Sequence, residues 1–168
     1  MVSKTLIELT NLSDKAEEAI LYFGRLSNGN VLMVSSPDKK VRPVVARVIS
    51  KEGKLLAEKL ISQNVVENSL LINVSSGDPL IRMTYFDKEK KKQSFLTLTE
   101  QLEVRLSSDV EIEFKSSKKY MFTAVHYQGD LAYGINFNYL KKGKQVGKVN
   151  QLTFFKIDLK GGKLLRTA

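Results

Sequence analysis

The sequence predicts a mainly β protein in which several hairpins form antiparallel sheets, with at most one or two short helices. Apolar and polar residues alternate over most of the chain, and turn signals separate the alternating segments. The composition, with 42% hydrophobic and 27% charged residues in 168, is that of an average soluble domain. We therefore expect one β-rich domain over residues 1–168, such as a β-sandwich. Residues 80–98 and 131–159 share the same order of a strand, a lysine-rich hairpin and a second strand. The alternative is therefore a domain made of two pseudo-repeated halves.

The first predicted elements are a short helix and a hairpin. Residues 13–18 combine a serine cap with early acidic residues, which suits a helix N-terminus. Residues 19–26 and 31–34 are apolar segments on either side of Asn28-Gly29. Because Asn-Gly favours a two-residue type I′ turn, we predict a hairpin there.

The middle of the chain predicts further short strands. Turn signals that contain Gly53 and Gly77 separate them. The predicted strands cover residues 44–49, 55–61, 69–74 and 81–86.

Residues 98–106 fit two structures equally well. Leu98, Leu102 and Leu106 have the four-residue spacing of a helix face. Leu102, Val104 and Leu106 also alternate, as residues of a strand do. The sequence does not choose between the two.

The last third of the chain has the clearest alternation. Strands are predicted at 110–114 and 119–127, and a turn at Gly129 follows them. On the next strand one face is expected to be buried, and its residues are Leu131, Tyr133, Ile135, Phe137 and Tyr139. The strand after it has an apolar face of Thr153, Phe155, Ile157 and Leu159, which alternates with Phe154, Lys156, Asp158 and Lys160.

Basic residues outnumber acidic ones by 27 to 18, which gives a net charge of +9. Polyanions bind where several cations lie along one surface, because neutralised phosphates release their counterions. We therefore predict phosphate contacts at the lysines near predicted turns and strand edges. The alternative is that these lysines only protect exposed strand edges and keep the turns soluble. The predicted contacts are Lys88, Lys90, Lys91, Lys92, Lys118, Lys119, Lys141, Lys142, Lys144 and Lys148.

Three aromatic residues are predicted to be accessible for base stacking. Phe86, Tyr127 and Phe154 fall out of phase with the apolar face of their strands. Every nucleobase has a π-face, so an exposed ring beside cations favours binding of single strands. Most of the other aromatic residues are expected in the core.

Residues 69–114 resemble half of the fold found in the plant Whirly proteins and in related transcriptional coactivators that bind single-stranded DNA. The matching segments are 69–74, 80–86, 88–92, 94–100, 102–106 and 110–114. The resemblance implies that Tyr85 and Phe86 are aromatic residues of a sheet and that the lysines of 88–92 contact phosphates. It also implies that residues 97–100 end a strand.

The sequence lacks the usual signatures of catalytic and metal sites. It has no cysteine, which excludes thiol catalysis, cysteine-zinc sites and disulfides, and it has one histidine, His126. No nucleophile elbow or phosphate-binding glycine loop is present. Asp109, Glu111 and Glu113 share one face of a predicted strand, where a solvated role is expected. We predict no enzyme activity, no catalytic residue, no metal and no cofactor.

The sequence lacks the long apolar segments of signal peptides and membrane spans. Thr5 and Glu8 interrupt the apolar start of the chain, and no apolar run approaches the roughly 18–20 residues that span a bilayer. We expect an intracellular protein without a membrane anchor, in a compartment that the sequence does not specify.

Three classes of function fit these observations. The first is a nucleic-acid-binding protein, for single-stranded DNA or RNA, that acts through lysine hairpins and exposed aromatic rings. The second is a structural or assembly subunit with a jelly-roll-like sandwich, such as a component of a particle or capsid. The third is a sandwich that binds carbohydrate or protein. A homo-oligomer is compatible with each of them.

Overall fold

The computed structural model describes residues 19–37, 43–66, 69–75, 77–111, 119–140 and 149–167, and it describes no side chains at 119–123, 136–140, 149–151, 166 and 167. Within the described residues the protein is all-β, which confirms the predicted class. The strands are β1 (Ala19–Arg25), β2 (Val31–Ser36), β3 (Val44–Ile49), β4 (Leu55–Ser62), β5 (Leu71–Val74), β6 (Leu80–Asp87), β7 (Lys92–Thr99), β8 (Val104–Val110), β9 (Lys119–Gln128), β10 (Leu131–Leu140), β11 (Val149–Asp158) and β12 (Lys163–Thr167). The helix predicted at 13–18 lies outside the described residues.

The strands form three antiparallel sheets of four consecutive strands each. Sheet 1 contains β1 to β4, sheet 2 contains β5 to β8 and sheet 3 contains β9 to β12, with sequence neighbours paired throughout. This topology follows from the short connections between the strands, because a short turn can join antiparallel neighbours whereas parallel strands need a long crossover. No helix in the described part of the chain has the length and apolar composition needed to cross a bilayer.

The predicted hairpin around Asn28 is present, but its turn is not of type I′. A type I′ turn needs positive φ at both central residues, and only Gly29, at 86°, has it here. The Leu26 N–H donates to the Asn30 carbonyl at 2.8 Å, which leaves a loop of three residues. The single glycine is therefore the only position of this loop that takes the left-handed conformation.

The same turn geometry occurs in two other hairpins. The N–H groups of Ser50 and Thr99 donate to the carbonyls four residues later, at 2.8 and 2.9 Å. The positive-φ position is Gly53 in the first hairpin, at 83°, and Leu102 in the second, at 63°. The ambiguous segment thus forms a turn at Leu102 and a strand from Val104, and the helical alternative is wrong.

The chain divides into two compact units. The first contains residues 1–64, 73–81 and 98–105, and the second contains 65–72, 82–97 and 106–168. In the first unit, one face of β2 and β3 is almost fully buried at Leu32, Val34, Ala46 and Val48. The Glu100 carboxylate accepts the backbone N–H of Ser27 at 2.6 Å, so it holds the β1–β2 turn.

The second unit has its own core. Phe95 of β7 meets Phe155 of β11 edge to face, with ring centroids 5.9 Å apart. The other buried members of this cluster are Val110, Ala132, Ile157 and Leu159. Phe155, Ile157, Leu159 and the buried Thr153 confirm the apolar face predicted for the last long strand.

Candidate functional site

The pairing of β9, β10 and β11 brings two rows of side chains onto one face of sheet 3. Ile135 pairs with Ala124 and with Phe154, and Tyr133 pairs with His126 and with Lys156. Side chains two residues apart on a strand share a face, so the two rows lie side by side. We define these six residues, Ala124, His126, Tyr133, Ile135, Phe154 and Lys156, as the outer face.

The opposite face of sheet 3 is the one that packs into the core. Val125, Gly134 and Phe155 lie opposite one another on it, and Ala132 is fully buried. A Cβ at Gly134 would stand 2.1 Å from Cζ of Phe155, so the ring uses the space that the glycine leaves. The small residues of β10 therefore face the core, whereas Tyr133 and Ile135 are only half-buried, so the prediction that these two side chains are buried is wrong. The side chains of Phe137 and Tyr139 lie outside those described.

The outer face is open and mixes rings with cations. Phe154 is 49% exposed, which confirms its predicted accessibility, and His126 is exposed. The Lys156 ammonium lies 5.2 Å from the centroid of the Tyr133 ring, a cation–π contact. Together with Val125, Gly134 and Phe155, the six residues line a depression of about 670 Å³.

The lysines at 88–92 occupy the β6–β7 turn and the first residue of β7. The Asp87 carboxylate accepts the N–H groups of Glu89 and Lys90, both at 3.0 Å, and so shapes the turn. Lys88 and Lys91 are exposed, and Lys92 is half-buried. The turn thus presents cations to solvent, as the sequence predicted.

Lys90 is held by an acidic neighbour. Its Nζ donates to Oδ2 of Asp109 at 2.9 Å, and the Ser94 hydroxyl donates to Oδ1 at 2.7 Å. Burial alone would raise the pKa of Asp109, but these hydrogen bonds and the lysine charges outweigh it and lower the pKa. The hydrogen bond to Asp109 raises the pKa of Lys90. Of the predicted phosphate contacts, Lys90 is therefore the one whose charge is already neutralised in the described structure.

A second basic turn lies next to the same end of β8. The Ser108 hydroxyl donates to the Leu159 carbonyl in the β11–β12 turn at 2.7 Å. That turn carries the exposed Lys160. Ser108 and Asp109 are adjacent in β8, so their side chains lie on opposite faces, and the two basic turns contact β8 from opposite sides.

Tyr127 is not the accessible ring that the sequence predicted. Its side chain packs against the core of the second unit, and its hydroxyl hydrogen bonds to Thr84. Cζ of Arg82 lies 5.7 Å from its ring centroid. Burial raises the pKa of Tyr127 to about 12. Tyr127 shares a face with Val125 rather than with His126, so neighbours from β6 cover it.

The remaining predicted site residues divide into two groups. Phe86 is half-buried in β6, where its N–H donates to the Ser69 hydroxyl at 3.0 Å and its carbonyl accepts the Val66 N–H at 3.0 Å. The side chains of the other group lie outside those described: Lys118, Lys119, which begins β9, Lys141, Lys142, Lys144 and Lys148.

The sequence interpretation missed four residues of this region. The sequence predicts Tyr133 in the core, indicates no binding role for His126, and gives Lys156 and Lys160 no place among the predicted phosphate contacts. The available signal was the alternation of Ala132 and Gly134 with larger residues on β10. Small residues on one face of a strand indicate close packing on that face.

No protein-family model matches the chain, and no curated protein matches it at a significant level. Among the described residues, no group of three or more metal-binding side chains is positioned to hold an ion.

Proposed function

We propose that the protein binds single-stranded nucleic acid without catalysing a reaction, and that bases stack on the outer face of sheet 3. The observation that carries this proposal is the position of Phe154 and Tyr133 on one open face beside Lys156. Aromatic residues on the open face of a sheet bind unpaired bases in several nucleic-acid-binding folds.

The two rings are diagonal neighbours on adjacent strands, since Tyr133 lies two residues before the partner of Phe154. Diagonal neighbours of this kind are roughly 7–8 Å apart, which aromatic side chains can span. Together with Ile135 they form an apolar surface on which a flat base can lie. A base on Phe154 would have the Lys156 ammonium within reach for its phosphate.

The exposed cations supply the electrostatic part of the proposal. Lys88 and Lys91 are exposed on the β6–β7 turn and Lys160 is exposed on the β11–β12 turn, and a hydrogen bond joins each turn to β8. Lysine contacts phosphate as a flexible point charge and does not read bases as arginine does. We therefore expect binding that is sensitive to salt and tolerant of sequence.

The test compares affinities of Phe154→Ala and of the pair Lys88→Gln with Lys91→Gln. Loss of a stacking ring should weaken binding to a single-stranded oligonucleotide by roughly 1–3 kcal/mol and affect duplex binding less. The salt slope is the slope of the logarithm of the binding constant against the logarithm of the salt concentration. Loss of two phosphate contacts should lower its magnitude by about 1.4, since each cation contributes roughly 0.7 on a single strand. Fluorescence anisotropy across a salt series measures both effects.

The matched controls come from sheet 1 and from β8. Val104 is as exposed as Phe154, at 49%, so Val104→Ala should leave the affinity unchanged. Lys51 and Lys54 are exposed in the β3–β4 hairpin, so their exchange for glutamine should leave the slope unchanged. Equal losses in variants and controls, or no binding by the full chain, would contradict the proposal.

A further inference from the structure

His126 stands at one end of a row that crosses three strands of the outer face. It pairs with Tyr133 of β10, and Tyr133 pairs with Lys156 of β11. Adjacent strands lie roughly 4.8 Å apart, so the two ends of this row are separated by about 10 Å. Tyr133 is thus flanked by a lysine on one neighbouring strand and by a histidine on the other.

The imidazole of His126 is accessible to a ligand. The residue is exposed, and β9 is an edge strand of sheet 3, so a nucleic-acid strand can approach it from the side. The neighbouring Tyr127 points to the opposite face, where it packs against the core and hydrogen bonds to Thr84. Because this buried ring anchors β9, the histidine is presented from a fixed position.

Among the described side chains, no acidic group forms an ion pair with His126. The titratable and charged groups on the elements around it are Tyr133 on β10, Lys156 and Asp158 on β11, Lys163 on β12, Asp130 in the β9–β10 turn and, on the core face, Arg82 on β6. Asp158 lies two strands away and one row further along, and its Oδ1 accepts the N–H groups of Lys160 and Gly161. A charge on His126 is therefore available to a ligand.

The spacing of the row suits one stacked nucleotide. Within a strand of nucleic acid, each nucleotide lies between two phosphates. If a base stacks on Tyr133, Lys156 can contact the phosphate on one side and His126 the phosphate on the other. The two cations would be about 10 Å apart, roughly one Debye length at 0.1 M salt, so their mutual repulsion is largely screened.

We propose that His126 is a further phosphate contact of the outer face and that it acts when its imidazole is protonated. The inference rests on the proposed function and adds a dependence on pH to it. Histidine is the side chain that ordinarily gains its charge between about pH 8 and pH 5, and the sequence contains only one. The imidazolium has two N–H donors, whereas the neutral ring has one. Binding of single strands should therefore tighten as the pH falls through this range.

The experiment measures the affinity of the full chain for a rhodamine-labelled oligothymidylate by fluorescence anisotropy, over a salt series at about pH 8 and about pH 5.5. Neither thymine nor the phosphodiester titrates in this range, so any change comes from the protein. We expect binding that is roughly two- to fivefold tighter at the lower pH, as for an exposed ion pair. The salt slope should be larger in magnitude there by roughly 0.7.

Two variants of His126 and one control assign the effect. His126→Gln keeps a polar side chain of similar size that cannot gain a charge, so it should lose the gain in affinity at the lower pH. His126→Lys is charged at both pH values, so it should bind tightly at both. The matched control adds Val104→His, at an exposed position of another sheet, to His126→Gln and should not restore the gain. Circular dichroism verifies that each variant keeps its β structure at both pH values.

A wild-type affinity that does not change with pH overturns the inference, and so does the same gain in His126→Gln, because another group then responds to pH. Recovery of the gain by Val104→His also overturns it, since only net charge would then matter, as does a His126→Lys variant that binds no better than His126→Gln at the higher pH. In each of these cases a loss of affinity in Phe154→Ala at the higher pH still supports the proposed function. No binding by the full chain at either pH overturns both.

Discussion

Gly134 shows how one residue decides which face of a strand is buried. A strand can bury either face, and the larger side chains of β10 favour the face with Tyr133 and Ile135. The Phe155 ring crosses Gly134 on the other face and meets Phe95 there. The Phe155 ring fills the space beside Gly134. It buries more apolar surface there than the small side chains of β10 on the same face could bury.

Gly134→Ala should therefore destabilise the protein. The new methyl would lie 2.1 Å from Cζ of Phe155, and the ring cannot move away because it is only 4% exposed. Overpacking of this kind costs roughly 1–3 kcal/mol. Urea unfolding followed by circular dichroism measures the loss. Gly77→Ala is the control, since nothing lies within 4 Å of its added Cβ; an equal loss in both variants would refute the packing argument.

The lysine hairpin between β6 and β7 shows that a run of cations in sequence is not a run of equivalent charges in space. Asp109 comes from β8 and binds Lys90, whereas Lys88 and Lys91 extend into solvent. The sequence separates Lys90 and Asp109 by 19 residues, and the pairing of β7 with β8 brings them together.

Asp109→Asn should strengthen binding of single strands if the proposed function is correct. The substitution releases the Lys90 charge, which can then contact a phosphate and raise the salt slope by roughly 0.7. Anisotropy titrations at several salt concentrations measure this slope. Glu52→Gln removes an equal charge from another lysine-bearing hairpin and should leave the slope unchanged. The same increase in both variants would show that only net charge matters.

At the scale of the whole molecule, the net charge of +9 is unevenly distributed. The last 48 residues contain eight basic and two acidic residues, and this stretch contains all of sheet 3 except the first two residues of β9. The proposed ligand surface and the excess charge therefore belong to the same part of the chain. The resemblance to the Whirly family stays a prediction.

The free energy of unfolding should fall at alkaline pH because of Tyr127. Its phenol keeps its proton to about pH 12 in the folded protein, whereas an unfolded tyrosine ionises near pH 10. Because the pKa is higher in the folded state, Tyr127 makes its full contribution to the free energy of unfolding below pH 10. This contribution is lost as the pH rises towards 12. Two pKa units correspond to on the order of 3 kcal/mol.

Tyr127→Phe should make the decline above pH 10 shallower, while Tyr85, whose pKa burial also raises, keeps part of it. Urea unfolding of both proteins over an alkaline series of pH values measures the difference. Tyr133→Phe is the control, because Tyr133 lies on the outer face. An unchanged pH dependence in Tyr127→Phe would show that folding does not raise the pKa of this phenol.

Much of the fold was predictable from local patterns. Alternation located β3, β4, β6, β9 and β10 closely, and glycine located most of the turns. These patterns depend only on residues close in sequence, so they can be recognised without knowing which strands pair. The strand β12 was missed because its five residues alternate weakly. The turn type at Asn28 was also missed, since the register of the flanking strands sets the length of the loop.

The sequence by itself determined that this protein is a basic, cysteine-free chain of antiparallel hairpins with Phe154 exposed. The tertiary structure decided which face of β10 is buried, that Arg82 and Thr84 cover Tyr127, and that Asp109 neutralises Lys90. These outcomes depend on contacts between side chains far apart in sequence. Steric fit and charge pairing across strands act only once the strands have met, so no local pattern contains them.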